Sequence, residues 1–140
     1  MSKDTLKESL RKYFGFDSFR GAQESIVTDV LEGRNTFVIM PTGGGKSICF
    51  QVPALSLEGV CIVVSPLIAL MKDQVDGLVR QGIPAAYINS SLEQSAINQI
   101  FQQMANGEIK LIYISPERLN SPYFLEGLAN LSISLFAIDE

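Results

Sequence analysis

Short apolar runs and longer amphipathic segments alternate along most of this chain. The apolar runs have the length of buried strands and contain many β-branched residues, which predicts strands at 36–40, 60–64, 85–89, 109–114 and 133–139. Apolar residues at helical spacing between these runs predict helices at about 46–57, 67–81, 92–106 and 116–129. Such an alternation predicts an α/β fold with a mainly parallel sheet that helices cover on both faces.

Two further amphipathic helices are predicted ahead of the first strand, at 3–13 and 20–32. Gly33 follows the second one and is expected to cap its C-terminal end. We therefore divide the chain into an N-terminal helical part, residues 1–33, and an α/β part, residues 34–140.

Composition and charge narrow the class of protein. The chain has 140 residues, of which 46% are hydrophobic and 19% charged, a balance that is typical of a globular domain. No apolar run reaches membrane-spanning length, and the charged, amphipathic start lacks the apolar core of a secretory signal. Cys49 and Cys61 lie in apolar runs, so we expect buried free thiols and a reducing compartment.

The chain has no histidine, which excludes a histidine base, a catalytic triad and zinc–imidazole ligation within these residues. Its net charge is −4, so overall charge does not indicate nucleic-acid binding. Any contact with a nucleic acid has to come from local geometry.

Polar residues follow the ends of four predicted strands. They are the glycine-rich run at 41–47, Ser65 with Pro66, Ser115 with its neighbours to 117, and Asp139 with Glu140. Because the carboxyl ends of parallel strands line the ligand crevice of an open α/β sheet, we expect one edge to carry the chemistry.

The glycine-rich run predicts a phosphate site. It consists of Thr42, Gly43, Gly44, Gly45, Lys46 and Ser47. Glycines allow successive backbone N–H groups to surround an anion, and the following helix adds its positive N-terminal end. Lys46 is expected to reach the β- and γ-phosphates, and Ser47 to offer its hydroxyl to Mg²⁺. Met40 replaces the first glycine of the usual G-x-x-x-x-G-K-[ST] pattern, which leaves this mechanism intact.

The last predicted strand ends in a pair of acids. We expect Asp139 to hold Mg²⁺, through water, and Glu140 to polarise the attacking water. Together with the glycine-rich run, the pair predicts a site for a Mg²⁺–nucleoside triphosphate.

Two Ser-Pro junctions point to a second kind of ligand. The sequence predicts Ser65 at a helix N-cap with Pro66 at the first helical position, and the same arrangement for Ser115 and Pro116. Ordinary helix capping explains each junction by itself. Side by side, the two helix starts could bind consecutive phosphates of a nucleic-acid strand without a basic surface.

The segments MPTGGGKS, SPLIALMKDQV, SPERL and AIDE, in this order and spacing, resemble the RecQ group of superfamily 2 DNA helicases. FGFDSFRGAQ, residues 14–23, resembles the adenine-reading motif of that group. The resemblance covers nearly the whole chain, and Met40 at the first glycine position is also what that family shows. It implies a RecA-like P-loop NTPase fold in three layers, with the chain stopping after the acidic (Walker B) strand.

The resemblance also implies roles for individual residues. Gln23 would read the adenine edge because an amide can donate and accept at once, with Arg20 assisting and Phe16 stacking on the base. Phe14 and Phe19 are expected to pack in the core. The nucleic-acid backbone would be contacted by Ser65, Lys72, Gln74, Ser115 and Arg118.

We expect the chain to be the front of the first motor lobe of such a helicase. The coupling motifs beyond Glu140, the aromatic-rich loop, the second lobe with its arginine finger, and the zinc-binding and winged-helix modules of the family lie outside these residues. ATP and Mg²⁺ are thus the expected ligands here, and zinc is expected only in the remainder of the intact protein. These 140 residues are expected to hydrolyse ATP feebly and to unwind nothing alone.

For the intact protein the sequence predicts an ATP-dependent 3′–5′ DNA helicase acting on single-stranded or partly duplex DNA in repair or recombination. Its expected location is the bacterial cytoplasm, at the nucleoid, or a eukaryotic nucleus, without a membrane. Alternatives are a nucleotide-binding module without motor activity, an RNA helicase of the same superfamily, and a small P-loop kinase or GTPase. A GTPase lacks support because the chain has no N-K-x-D guanine signature. The acidic pair and Gln23 argue against a kinase.

Overall fold

The computed structural model describes residues 3–40, 45–89 and 91–139. The chain folds as two compact units, Met1–Leu57 and Glu58–Glu140. The first unit contains the whole predicted N-terminal part, residues 1–33, and also residues 34–57 of the predicted α/β part. That division followed the predicted secondary structure rather than contacts, and it stays a prediction.

Helices form the first unit. They are α1 (Lys3–Ser9), continued by a π-helical turn (Leu10–Phe14), then α2 (Gln23–Leu31) and α3 (Ile48–Ser56). Buried apolar residues of these helices meet in one cluster: Leu6, Leu10, Val27, Ile48 and Val52. The predicted helices are confirmed, and Gly33 follows α2 with φ of +80°, the left-handed conformation expected after a helix end.

The strand predicted at 36–40 is absent, so this prediction was wrong. The segment has no regular secondary structure, and the side chains of Phe37 and Ile39 are 89% and 86% exposed. A strand is stabilised by hydrogen bonds to a neighbouring strand, and the described residues of the first unit contain no other strand. The apolar pattern alone therefore does not produce a strand here.

The second unit is built on a parallel sheet. Its strands are β1 (Val60–Val64), β2 (Ala85–Ile88), β3 (Leu111–Ile114) and β4 (Ile133–Ile138), in the order β2-β3-β1-β4. The connections contain α4 (Ile68–Arg80), α5 (Gln94–Ala105), a 3₁₀ turn (Pro116–Asn120) and α6 (Pro122–Ala129). Four of the five predicted strands are thus confirmed, as are the helices predicted at 67–81 and 92–106, with ends that differ by a few residues. The helix predicted at 116–129 forms only from Pro122, because a 3₁₀ turn occupies its first part.

Helices cover this sheet on both faces. Alternate strand residues such as Ile62 and Ile112 share a cluster with Ile97 of α5 and Phe124 of α6, which places α5 and α6 on one face. The connection through α4 runs across the sheet in the opposite direction, so the right-handed crossover rule places α4 on the other face. β1 and β3 are wholly buried, as their continuous apolar sequences require.

No helix among the described residues has the length and apolar character needed to cross a membrane.

Burial also governs the chemistry of the two cysteines. Cys49 and Cys61 are buried free thiols. Desolvation raises the pKa of both, that of Cys61 to about 12, because a thiolate is costly in an apolar surrounding. We expect neither thiol to react with iodoacetamide at about pH 8 in the folded chain, and both to react after unfolding in guanidinium. Alkylation of Cys61 in the folded chain at the unfolded rate would contradict this burial.

Candidate functional site

The described end of the glycine-rich run leads directly into α3. Thr42, Gly43 and Gly44 lie outside the described residues. Gly45 has φ of +81°, and Lys46 and Ser47 follow before α3 begins at Ile48. This left-handed turn is available to glycine at little cost, and it lets the chain enter the helix. The positive N-terminal end of α3 then lies directly after the run.

Lys46 and Ser47 stand at the start of this helix, and both are half-buried. Ser47 occupies the N-cap position, but its hydroxyl makes no capping bond to the helix. A hydroxyl that does not cap the helix can serve as a metal or phosphate ligand. The residue types and positions therefore fit the predicted phosphate and Mg²⁺ roles.

Gln23 joins the start of α2 to the glycine turn. The buried Gln23 amide donates from Nε2 to the carbonyl oxygen of Gly45 over 3.1 Å. Its Oε1 accepts from the backbone N–H of Arg20 over 2.7 Å. The amide does donate and accept at once, as predicted, but here its partners are backbone groups. An amide has one further N–H and one further lone pair, the groups that the predicted adenine contact would use.

The bond to Gly45 was not predicted, because two residues 22 positions apart give no local sequence signal. It also leaves no room for a side chain at position 45. A Cβ built on Gly45 would collide with Gln23 Nε2. Two features therefore favour glycine at position 45: its left-handed backbone conformation and the close approach of the Gln23 side chain.

The aromatic residues before Gln23 divide into two groups. Phe14 and Phe19 pack against the apolar cluster of the first unit, which confirms the expected core packing. Phe16 is 55% exposed, and Arg20 is exposed. An exposed Phe16 ring is available for stacking on a planar base, the role that the sequence predicts.

In the second unit the carboxyl ends of the strands align at one sheet edge. Hydrogen bonds extend the ladder past the strands, from Ser65 N–H to Ile114 O over 3.0 Å and from Asp139 N–H to Val64 O over 2.9 Å. Ser115 N–H donates to Ile88 O over 3.4 Å. The prediction that one edge collects these residues is therefore confirmed for Ser65, Ser115 and Asp139. Glu140 lies outside the described residues.

The first Ser-Pro junction differs from the prediction. The helix α4 begins at Ile68, so Ser65 is not its N-cap and Pro66 is not its first residue. Instead, Ser65 Oγ accepts a hydrogen bond from the N–H of Leu67 over 3.2 Å. This local turn uses the hydroxyl before the helix starts, which is why the capping prediction was wrong.

The second junction has the predicted positions but no capping bond. Ser115 is the N-cap of the 3₁₀ turn and Pro116 its first residue. The Ser115 Oγ is buried and has no hydrogen-bond partner among the described residues. Ser65 and Ser115 are 2% and 0% exposed, so their side chains do not reach a ligand at the surface in this conformation.

Lys72 and Gln74 lie on α4, whose buried face contains Met71, Val75 and Leu78. The exposed Lys72 donates from Nζ to Asp76 Oδ2 over 2.7 Å, one helical turn away, and this hydrogen bond raises the Lys72 pKa. Exposed pairs of this kind are weak, so a phosphate could replace the Asp76 carboxylate as the partner of Lys72. Gln74 is half-buried on the same helix.

Arg118 does not extend freely from the 3₁₀ turn. Its Nη2 donates to the carbonyl oxygen of Asn89 over 2.6 Å, which connects the turn to the end of β2. Arg118 Nε is buried and has no partner among the described residues. This long-range bond is a second feature that sequence reasoning missed, because 29 positions separate the two residues.

These features can be set against known proteins. The DEAD/DEAH box helicase family matches residues 20–140, which is most of the chain. The chain belongs to this family. The matched range contains Lys46, Ser65, Arg118 and Asp139.

Relatives within this family confirm the resemblance to RecQ. The chain is 52% identical over 132 residues to the ATP-dependent DNA helicase RecQ of Bacillus subtilis, covering 94% of this chain and 22% of that protein. It is 41% identical over 140 residues to the RecQ of Haemophilus influenzae, covering 100% of this chain and 23% of that protein. The ATP-dependent helicase wrn-1 of Caenorhabditis elegans is 44% identical, over 94% of this chain and 12% of that protein.

The chain thus spans about a fifth of the length of the RecQ relatives, 22% for the Bacillus subtilis protein.

Solved helicase structures share the fold of this family member. A hypothetical ATP-dependent RNA helicase from Sulfolobus tokodaii matches with a TM-score of 0.70 and 23% identity, covering 99% of this chain and 41% of that one. The DUF1998 helicase MrfA bound to DNA matches with a TM-score of 0.68 and 20% identity, covering 87% and 18%. The α/β P-loop NTPase fold is therefore established for this chain.

Proposed function

We propose that this chain is part of the motor of an ATP-dependent DNA helicase that moves 3′ to 5′ along one strand. The observation that carries the proposal is its 41–52% identity, over 94% or more of its length, to bacterial proteins named ATP-dependent DNA helicase RecQ. The left-handed turn at Gly45 and the aligned strand ends support it, because they offer positions for a nucleotide and for a nucleic-acid backbone.

On the nucleotide side, the residues divide by the part of ATP that they suit. Phe16, Arg20 and Gln23 would hold the adenine, since a half-exposed ring and an oriented amide recognise a flat base with donors and acceptors on its edge. The phosphates would be held by Thr42, Gly43, Gly44, Gly45 and Lys46, whose backbone N–H groups and ammonium complement their negative charge.

For the metal, we assign Ser47 as a ligand of Mg²⁺ and Asp139 as the carboxylate that holds it through water. Both offer oxygen atoms, the ligand type that Mg²⁺ prefers, and the Ser47 hydroxyl makes no capping bond. Mg²⁺ would neutralise charge that develops on the phosphates during hydrolysis. Glu140 is assigned to orient and polarise the attacking water, and Lys46 to stabilise the γ-phosphate charge.

On the DNA side, the strand ends in the second unit would contact the backbone of a single strand. On α4, Lys72 is exposed and supplies a positive charge that a phosphate can share, and Gln74 is half-buried beside it. Ser65 and Ser115 would act by shaping the strand ends rather than by touching a phosphate, because their side chains are buried and their N–H groups donate within the sheet. In the intact protein, ATP binding and hydrolysis would alternate two conformations of these contacts and so move the strand. A DNA-acting protein of this kind works in the bacterial cytoplasm or in the nucleus.

The proposal is tested by titrating the chain with a fluorescent ATP analogue and Mg²⁺. We expect Lys46→Ala to weaken binding about 10- to 100-fold, the effect of losing hydrogen bonds to a charged group. Gln23→Ala is expected to weaken binding less and to remove the preference for ATP over competing GTP. Lys12→Ala removes an exposed lysine of the same unit and serves as the control, with unchanged affinity expected.

Equal competition by GTP in the unchanged chain would contradict the adenine assignment and favour another P-loop class. Preference for single-stranded RNA over DNA of the same sequence, measured by anisotropy, would favour the RNA helicase alternative.

A further inference from the structure

The 3₁₀ turn after β3 has few attachments to the rest of its unit. None of its residues is fully buried, and the Ser115 side chain gives it no capping bond. Leu119 packs against the apolar cluster, but such a contact does not fix an orientation. The bond from Arg118 Nη2 to Asn89 O is directional and short, and it joins a cation to a carbonyl dipole.

The partner of Arg118 is itself held in place. Asn89 directly follows β2, which pairs with β3 up to Ile88 and Ile114. The Asn89 side chain accepts at Oδ1 from the N–H and the hydroxyl of Ser91, over 2.9 Å and 2.6 Å. Asn89 therefore fixes the exit of β2 with its side chain and receives Arg118 with its backbone carbonyl.

The Arg118 guanidinium is less exposed than a typical phosphate-binding cation at a protein surface. Arg118 is half-buried, and its Nε is buried without a partner among the described residues. Lys72, by contrast, is exposed and its partner is an exposed carboxylate. Turning the Arg118 guanidinium outwards to a phosphate would draw Nη2 away from Asn89 O and weaken the 2.6 Å bond between the two loops.

We infer that Arg118 is a positioning residue, which ties the 3₁₀ turn at Pro116–Asn120 to the exit of β2 at Asn89 so that both loops meet a nucleic-acid backbone as one surface. This inference rests on the proposed function for its ligand, and it changes the role of Arg118 from contacting the phosphate to holding the contact surface. The tie itself exists without the ligand and can be measured without it.

The first measurement is hydrogen exchange of the free chain, read at the amides of Ser91 and Ser121 on either side of the tie. Arg118→Gln is expected to accelerate exchange at both amides about tenfold or more, the effect of losing one hydrogen bond to a charged group. Arg118→Lys keeps one donor and should restore most of the protection. Arg80→Gln removes the same charge from the exposed last turn of α4 and should leave both amides unchanged. Unchanged protection of the β1 and β3 amides shows that each variant is folded.

The second measurement is the salt dependence of binding to a single-stranded DNA oligonucleotide. A positioning role predicts that Arg118→Gln lowers the affinity while the slope of log K against log salt stays that of Arg80→Gln. Lys72→Gln should reduce the slope by about 0.7, the value for one lost phosphate contact on a single strand.

Two results would overturn the inference: unchanged exchange in Arg118→Gln, or a slope reduced as in Lys72→Gln. If the unchanged chain binds no oligonucleotide, the proposed function fails for these residues, and the exchange experiment still decides the role of Arg118.

Discussion

Replacing Gly45 with alanine is expected to abolish detectable ATP binding and to lower the free energy of unfolding by about 2–3 kcal/mol. Alanine at φ of +81° costs about 1 kcal/mol through its backbone conformation. Its Cβ would also displace the Gln23 amide, which then loses its bonds to Gly45 O and Arg20 N, each worth about 1 kcal/mol. One methyl group would thus disturb both the amide that we propose reads the base and the turn that we propose binds phosphate.

Gly33 provides a matched control for this substitution. It has nearly the same φ, +80°, and a Cβ there would meet nothing within 4 Å. Gly33→Ala should therefore show the backbone cost alone, about 1 kcal/mol, with ATP binding retained. The measurements are urea unfolding followed by circular dichroism, and titration with the fluorescent ATP analogue.

The double variant Gly45→Ala, Gln23→Ala separates the two effects, because it removes the collision and keeps the backbone strain. We expect it to be more stable than the sum of the two single substitutions predicts, since the lost Gln23 bonds are counted in both. Strict additivity of the unfolding free energies would show that Gly45 and Gln23 do not interact.

Replacing Gly59 with alanine is expected to have the largest effect on stability, about 3 kcal/mol or more. Gly59 has φ of +98°, and a Cβ there would lie 2.6 Å from the carbonyl oxygen of Ser132. That oxygen accepts from the N–H of Val60 over 2.9 Å at the start of β1. The obstacle is backbone rather than a flexible side chain, so the end of the β1–β4 ladder would have to move.

Gly107→Ala is the control in the same unit, because Gly107 has φ of +77° and open space around its Cβ position. It should cost about 1 kcal/mol. Urea unfolding gives the two free energies, and hydrogen exchange at the β1 and β4 amides locates the damage. Equal destabilisation by Gly59→Ala and Gly107→Ala would show that the approach of Ser132 carries no cost.

Much of the fold could be predicted from the sequence, because its signals are local. A continuous apolar run such as VCIVV predicts a buried strand, which the structure contains as β1. The helical spacing of apolar residues predicted α4 and α5 to within a few residues of their observed ends. The polar residues after the strands predicted which edge of the sheet carries the candidate site, because parallel strands of an α/β sheet bring their carboxyl ends together. The family followed from the same segments.

Where local signals misled, a partner in space was the deciding factor. The segment at 36–40 has the composition of a strand, yet it forms none, because a strand is completed by hydrogen bonds to a neighbour that composition does not reveal. Ser65 has the residue type of an N-cap, but its hydroxyl accepts a hydrogen bond from the N–H of Leu67, before the helix begins.

The sequence by itself thus determined the helices and the strands of the second unit, their parallel arrangement and the residue types at each strand end, but not the state of the segment at 36–40. Only the tertiary structure decided that Gln23 binds the carbonyl of Gly45, that Arg118 binds the carbonyl of Asn89, and that Ser115 is buried. The physical reason is that periodicity and propensity act over a few residues. A hydrogen bond across 22 or 29 positions depends instead on how packed elements place two backbones in space.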